Sequence, residues 1–293
     1  MSYLCHVKIS GFTFVRNAVK YGYPVVEAIT SILSICDEFV VCLGNSDDGT
    51  EELIRNIPSE KIRIVDSVWD DSLRTGGRVL AVETDKAFDA ISADSDWAFY
   101  IQADEVVHEK FLPVIKHEME KYIDDKKVDC LVFKYLHFYG NYKYVGNARN
   151  WYRREIRVIK NDKSIRSYRD AQGFRRNEKQ LSGKLIDAWV YHYGWARSPR
   201  FQTAKLSNFE KLYKPDDKIT IKSDELYDYG NVSSLALFDG THPEVMKSRI
   251  ADMDWDFEFD ITKKRLPLHD RILDFAEQIT GKRFFEFRNY KLV

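Results

Sequence analysis

The chain has 293 residues, of which 44% are hydrophobic and 31% charged, with a net charge of −1. That length supports one large domain or two modest ones with an ample core. The near-neutral balance removes any global electrostatic basis for nonspecific nucleic-acid binding, and no apolar run approaches the roughly 20 residues of a membrane helix.

Met1 to Ser10 has no basic start followed by an apolar core, so no signal peptide is visible. Cys5, Cys36, Cys42 and Cys130 form no C-x-x-C pair. They read as reduced, buried small hydrophobes, which favours a cytoplasmic protein and argues against structural zinc.

In chain order, Val7 to Val15 predicts a first strand that ends at Arg16-Asn17. Tyr23-Pro24 opens a helix with a stripe of Val25, Ile29, Ile32 and Leu33. Phe39 to Leu43 predicts a second buried strand, followed by the polar turn Gly44 to Thr50 and a helix from Glu51. Ile62 to Val65 is a short third strand. Gly76-Gly77 precedes a helix of about four turns. The fourth strand is Trp97 to Ile101, an unbroken apolar run of the kind buried on both faces of a sheet. Pro113 to Tyr122 follows as a helix. Strand and helix thus alternate four times, which predicts a parallel sheet with right-handed crossovers and helices on both faces.

From Val128 the pattern changes. Cys130 to Phe133 predicts a strand, followed by an aromatic run from Tyr135 to Tyr144. Tyr152 to Ile159 and Lys184 to Tyr193 predict two more strands. Helices are expected near Arg200–Tyr213, Pro243–Ile250 and Leu268–Thr280, with Asp216–Tyr229 as an irregular surface loop.

The fourth strand ends in chemistry. Gln102, Asp104, Glu105, His108 and Glu109 follow Ile101 within eight residues. In an open α/β sheet ligands bind just beyond the carboxyl ends of the strands. Carboxylates there suit Mg²⁺ or Mn²⁺, which take one or two of them together with substrate phosphates. The same acids also suit the N-terminal end of the following helix, where negative charge is stabilised. His108 is expected on the surface of that helix's first turn.

The segments VKISGFTFVRN, FVVCLGNSDDGTEEL and DWAFYIQADE, in that order and spacing, resemble the family 2 glycosyltransferases of the GT-A fold. Ser46-Asp47-Asp48-Gly49-Thr50 corresponds to a D-G-S-T-D-G-T-like turn, and Ile101-Gln102-Ala103-Asp104-Glu105 to an L-D-A-D-E-like metal motif. The resemblance covers about residues 5–125 and continues more loosely to Trp195. It implies a Rossmann-like, mostly parallel sheet flanked by helices, with an acceptor-side region and a helical tail. The corresponding divisions are 1–127 (nucleotide-sugar-binding half), 128–198 (acceptor-side strands and catalytic loop of the same domain) and 199–293 (helical C-terminal extension). Two positions depart from the family pattern. Gln102 stands where the first acid of the metal motif is usual, and Leu43-Gly44 replaces the usual acidic pair before the turn.

The resemblance implies a nucleotide-diphosphate sugar donor bound by Phe14, Arg16, Asn17, Asn45, Asp48, Arg78, Gln102, Ala103 and Asp104. It implies Mn²⁺ or Mg²⁺ on Asp104, assisted by Glu105 or His192. Asp48, with Ser46, equally suits an N-cap for the helix that follows. Gln102 suits the ribose or a metal-bound water, and equally a pairing with neighbouring backbone. His192 ends a strand in Tyr191-His192-Tyr193-Gly194-Trp195, where a ligand role competes with simple packing. Asp170, in the polar segment Ser167 to Arg175, is the expected base for the acceptor hydroxyl, against a plain salt bridge to a neighbouring arginine.

Arginine and lysine crowd residues 149–176, which reads as a mixture of solvated edge and anion site. The acceptor is then a glycan, a lipid-linked or a phosphorylated molecule, with peripheral membrane contact compatible with the sequence. The leading expectation is metal-dependent, inverting sugar transfer. A nucleotidyltransferase on a similar sheet and a non-catalytic sugar- or nucleotide-binding protein are the alternatives.

Overall fold

The computed structural model describes residues 6–214, 218, 220 and 225–293. Cys5 and half of the expected loop Asp216–Tyr229 lie outside the described residues.

Four parallel strands form the N-terminal half of the sheet: β1 (Ile9–Val15), β2 (Glu38–Gly44), β3 (Ile62–Ser67) and β4 (Trp97–Tyr100). Their order across the sheet is β3-β2-β1-β4, the Rossmann-like arrangement expected from the alternating pattern. β1, β2 and β4 are buried on both faces while the edge strand β3 is only partly covered, and the alternation of side chains divides the buried ones between two cores. Phe39, Val41 and Leu43 of β2 face α1 (Val25–Leu33), while Val40 and Cys42 face α3 (Arg78–Ala90). Trp97 and Phe99 of β4 join the first core, Ala98 and Tyr100 the second. Helix α1 starts after Pro24 and buries Val25, Ala28, Ile29 and Ile32. A short α2 (Thr50–Arg55) and α4 (Leu112–Lys121) complete this half.

Beyond β4 the sheet turns antiparallel. β8 (Arg154–Lys160) pairs antiparallel with β4 and with β6 (Cys130–Tyr139). β6 runs six residues past the expected end at Phe133, because its aromatic continuation stays buried along the strand. Beside it, in parallel, lies the 17-residue β11 (Lys179–Trp195). The other edge of β11 takes β5 (Glu105–Val107), which sets His192 opposite Glu105. β9 (Ile165–Tyr168) and β10 (Gly173–Arg176) form a hairpin. The segment expected as a loop is therefore only a tight turn, Arg169 to Gln172, with positive φ at Arg169 (56°) and Ala171 (61°). A small pair, β7 (Tyr144–Gly146) with β12 (Leu235–Leu237), extends β6.

The C-terminal region holds α5 (Pro199–Lys211), a one-turn 3₁₀ segment leading into α6 (Lys247–Ala251), α7 (Leu268–Thr280) and β13 (Tyr290–Leu292), which pairs with β11. Cys36, Cys42 and Cys130 are free and buried. Among the described residues no helix is long and apolar enough to cross a membrane.

Candidate active site

A cavity of about 350 Å³ opens at the carboxyl ends of β1 and β4, under α5. Its volume falls in the range of small-molecule sites. Phe14, Arg16 and Asn17 line it from the end of β1, and Gln102, Ala103 and Asp104 from the turn after β4. Asp170 and Gln172 enter from the β9–β10 turn, His192 and Trp195 from the end of β11, and Lys205, Phe209 and Leu212 from α5. Tyr21, Tyr23, Trp69 and Tyr152 add flat apolar walls of the kind on which sugar or base rings stack.

Asp104 is buried and surrounded by positive groups. Lys205 Nζ donates to its Oδ2 at 3.0 Å, and Arg197 lies 3.6 Å from the same oxygen. Burial alone would push the Asp104 carboxyl up, but Lys205 and Arg197 hold it well below the ordinary carboxylate range, and His192 adds to this only when its ring is protonated. Burial lowers Lys205 to about 8, with Arg197 adding to the effect and Asp104 opposing it. Arg197 is fixed from behind: it donates to the Tyr21 carbonyl at 2.6 Å and stacks on Tyr23.

His192 Nε2 stands 3.7 Å from Asp104 Oδ1. Its protonation follows from a chain of hydrogen bonds. His137 Nε2 lies 2.7 Å from the Tyr152 carbonyl, which only accepts, so that nitrogen carries the hydrogen. Burial, and then His192, lower His137 to about 3, so the ring is neutral and its Nδ1 is an acceptor. His192 Nδ1, 3.1 Å away, therefore donates, and burial keeps this ring neutral as well. A lone pair is left on His192 Nε2, facing Asp104. Gly194 makes the approach sterically feasible: a Cβ there would collide with His192 Nε2 and come within 2.8 Å of Asp104 Oδ2.

Asp170 is held by one oxygen only. The Tyr213 hydroxyl, just past α5, donates to Oδ2 at 2.7 Å, while Oδ1 is buried with no hydrogen-bond partner among the described residues. Gln102 steadies the turn that carries Asp170, donating through its amide to the Ala171 carbonyl at 3.2 Å. The amide that replaces an acid in the motif thus both lines the cavity and pairs with backbone. Gly77, at φ 69°, packs against this corner; a Cβ would meet Tyr213 at 2.6 Å and Asp170 at 2.7 Å.

Several expected site residues lie elsewhere. Glu105 does not face the cavity. It is fully buried in a bidentate pair with Arg157 at 2.6 and 2.7 Å, and it also accepts from Tyr135 and from the Gln102 backbone. Both its oxygens are committed, because β5 turns this side chain inward while its neighbour Asp104 faces the opening. Asp48 is bound up in the β2–α2 turn, accepting from Thr50 and from the Lys20 backbone. Asn45 lines a separate shallow depression with Ser46, Glu51 and Asp66. Arg78 is exposed at the start of α3 and does not line the cavity. His108 is buried rather than on the surface, and its ring hydrogen-bonds Thr241 at 2.9 Å.

The basic stretch is mostly structural. Arg149 and Arg153 pair with Glu277, Arg166 with Asp89, and Arg176 with Asp129 and Asp162. Arg157, which does line the cavity, is already neutralised by Glu105. The positive charge at the cavity comes instead from Lys205, with Arg197 beside Asp104 and Arg16, which pairs with the exposed Asp71; Lys205 and Arg197 are unmarked by any local motif.

No family model matches the sequence, and no curated protein matches it. Solved structures similar to part of the chain include S. aureus TarS 1-349, at 13% identity and TM-score 0.38 over 69% of this chain and 64% of that one. Another is glucosyl-3-phosphoglycerate synthase from Mycobacterium tuberculosis in complex with Mn²⁺, UDP and phosphoglyceric acid, at 22% identity and TM-score 0.30 over 44% and 43%. A third is 4-diphosphocytidyl-2C-methyl-D-erythritol synthase from Anaerococcus prevotii, at 15% identity and TM-score 0.34 over 55% and 73%. The chain spans less than two thirds of the TarS chain it overlaps. These are partial overlaps at low identity; the chemistry is carried by the residues of the cavity.

Proposed function

We propose that this protein transfers a sugar from a nucleotide-diphosphate sugar to an acceptor hydroxyl, with inversion at the anomeric carbon and Asp170 as base. The observation that carries the reading is the pairing, within one cavity, of a carboxylate oxygen without a partner and a separate positive cluster around Asp104. Such transfer needs both: an acceptor for the hydroxyl proton and a countercharge for the leaving diphosphate. Tyr213 orients Asp170 by its other oxygen, so Oδ1 is left to take the proton. Lys205 is a cavity-lining cation suited to the diphosphate, and the aromatic walls suit the base and the sugar. The division of the chain follows: the parallel strands of residues 1–127 hold the donor, 128–198 supply the base and acceptor side, and α5 closes the cavity.

A divalent metal fits the donor set at Asp104. Among the described residues no three His, Cys, Asp or Glu side chains converge as a ready-made site. Asp104 Oδ1 and the His192 Nε2 lone pair are nonetheless two suitable donors facing one another, and Mg²⁺ or Mn²⁺ completes its shell with phosphate oxygens and water. When bound, the ion would neutralise the charge that develops on the diphosphate. Asp104 already has Lys205 and Arg197 beside it, so added positive charge is favourable only together with the anionic donor.

The test is a panel of nucleotide sugars with Mn²⁺ and Mg²⁺, read as release of free nucleoside diphosphate. Asp170→Asn should reduce release about 10²- to 10⁴-fold while donor binding, read by thermal shift, persists. Near-normal turnover in that variant would remove Asp170 from the chemistry. Pyrophosphate as product would mark a nucleotidyltransferase instead, and donor binding without any turnover a non-catalytic protein.

A further inference from the structure

The last helix is attached to the body the wrong way round for a water-exposed element. α7 docks through its acidic side: Glu277 is held by Arg149 at 2.6 Å and Arg153 at 2.8 Å. Its apolar stripe points out. Leu268, Ile272, Phe275 and Ile279 fall on one face at helical spacing and are 71%, 60%, 65% and 69% exposed. Phe285 and Phe287, which follow the helix, are exposed beside it. An amphipathic helix in a globular protein buries its apolar face, and an outward stripe of this size marks an interaction surface.

The charges around the stripe say which surface. Lys264 before the helix, Arg271 on it and Lys282 just after it are exposed, and none forms an ion pair among the described residues. Uncommitted basic groups beside Leu, Ile and Phe match the interface of an anionic lipid bilayer, where the apolar face enters the acyl boundary and the cations meet headgroups. A second copy fits less well, since a two-fold contact through this face would gather the unpaired Arg271 and Lys282 of both copies at one interface. The position is also apt. Arg149 donates to the Phe284 carbonyl, and Phe287 stacks under Arg169, the residue next to Asp170.

We infer that α7 and the phenylalanines after it are a membrane-docking face that lays the protein on an anionic lipid surface, with the rim of the cavity near the headgroups. The docking itself does not depend on the reaction proposed above. Acceptors presented at that surface, a lipid-linked hydroxyl among them, would reach Asp170 without leaving the bilayer.

Sedimentation of the full chain with phosphatidylcholine vesicles, and with vesicles containing roughly a third phosphatidylglycerol, tests this. Binding is expected to the anionic vesicles and to weaken in about 0.5 M salt, where surface charges are screened. The double variant Phe275→Ser, Ile279→Ser should bind about tenfold or more weakly. Reversing Arg271 and Lys282 to Glu should cost about fivefold for each charge. All four positions are exposed, so circular dichroism should be unchanged. Absence of vesicle binding, or binding that the Phe275→Ser, Ile279→Ser variant retains, would overturn the inference. So would a concentration-dependent dimer that this variant dissociates, which would assign the face to a second copy.

Discussion

His137 illustrates how far a single side chain can act from the reacting atoms. It does not line the cavity, yet its hydrogen bond to the Tyr152 carbonyl decides that the His192 nitrogen facing Asp104 keeps its lone pair. Partners of this kind are worth about 10- to 100-fold in metal affinity where they have been removed. His137→Phe is therefore expected to weaken Mn²⁺ binding about tenfold or more, measured by calorimetry with UDP or GDP present. His137→Asn, whose amide oxygen accepts, should recover part of the loss. Equal affinity in all three proteins would separate His192 from the ion. At this scale the sequence was informative where a strand ends and silent elsewhere. Gln102, Asp104 and His192 follow or close strand-like runs, Asp170 lies in a polar segment flanked by strands, and all four line one cavity. Lys205, Arg197, Tyr213 and His137 join them only through contacts made by the folded chain. Glu105 looked like a ligand because it adjoins Asp104; the alternation of β5 sends it to Arg157 instead.

The secondary-structure elements follow the sequence pattern closely where burial is two-sided or periodic, as in β1 to β4, α1 and α5. The pattern was least readable in the aromatic region. There, β6 and β11 continue through residues that neither alternate cleanly nor stop at a turn signal. The arginine-rich stretch also read ambiguously. Its partners are on α3, on α7 and beyond, over 70 residues away for Arg166 and more than 120 for Arg149 and Arg153. Arg149 and Arg153 clamp the C-terminal segment, and Arg166 ties β9 to α3, so these arginines do not form an anion site. Glu277→Ala would leave Arg149, which is nearly buried, without its carboxylate. A loss of about 2 kcal/mol is expected, measured by urea denaturation. A change within about 0.5 kcal/mol, the usual range for plain surface sites, would mean that α7 is held by other contacts.

Across the whole molecule, the C-terminal residues are tied into the sheet as well as the helices. Asn289, just before β13, donates to Glu155 on β8 at 2.9 Å, inside the fold. Burial pushes Glu155 up to about 7 from 4.5, against the opposing influence of Arg157 and the hydrogen bonds it accepts. Between pH 4.5 and about 7 the folded chain keeps a proton that the unfolded chain has released. Raising the pH across that window therefore favours unfolding, by roughly 3 kcal/mol in total if no other group compensates. Glu155→Gln should flatten the corresponding part of the stability curve measured by denaturant titration from pH 4 to 8. An unchanged curve would mean that the carboxyl is ionised in the folded chain.

Helix α5 reaches both ends of the cavity. Lys205 on its second turn touches Asp104, and Tyr213, two residues past its end, holds Asp170. A rigid rod contacting two sites transmits displacement between them. If the donor proposed above binds there, drawing Lys205 towards its diphosphate would tilt the far end of α5 and shift Tyr213, coupling the two compartments. Donor and acceptor should then bind synergistically, and water arriving alone should meet a poorly aimed Asp170, which would limit wasteful hydrolysis of the donor.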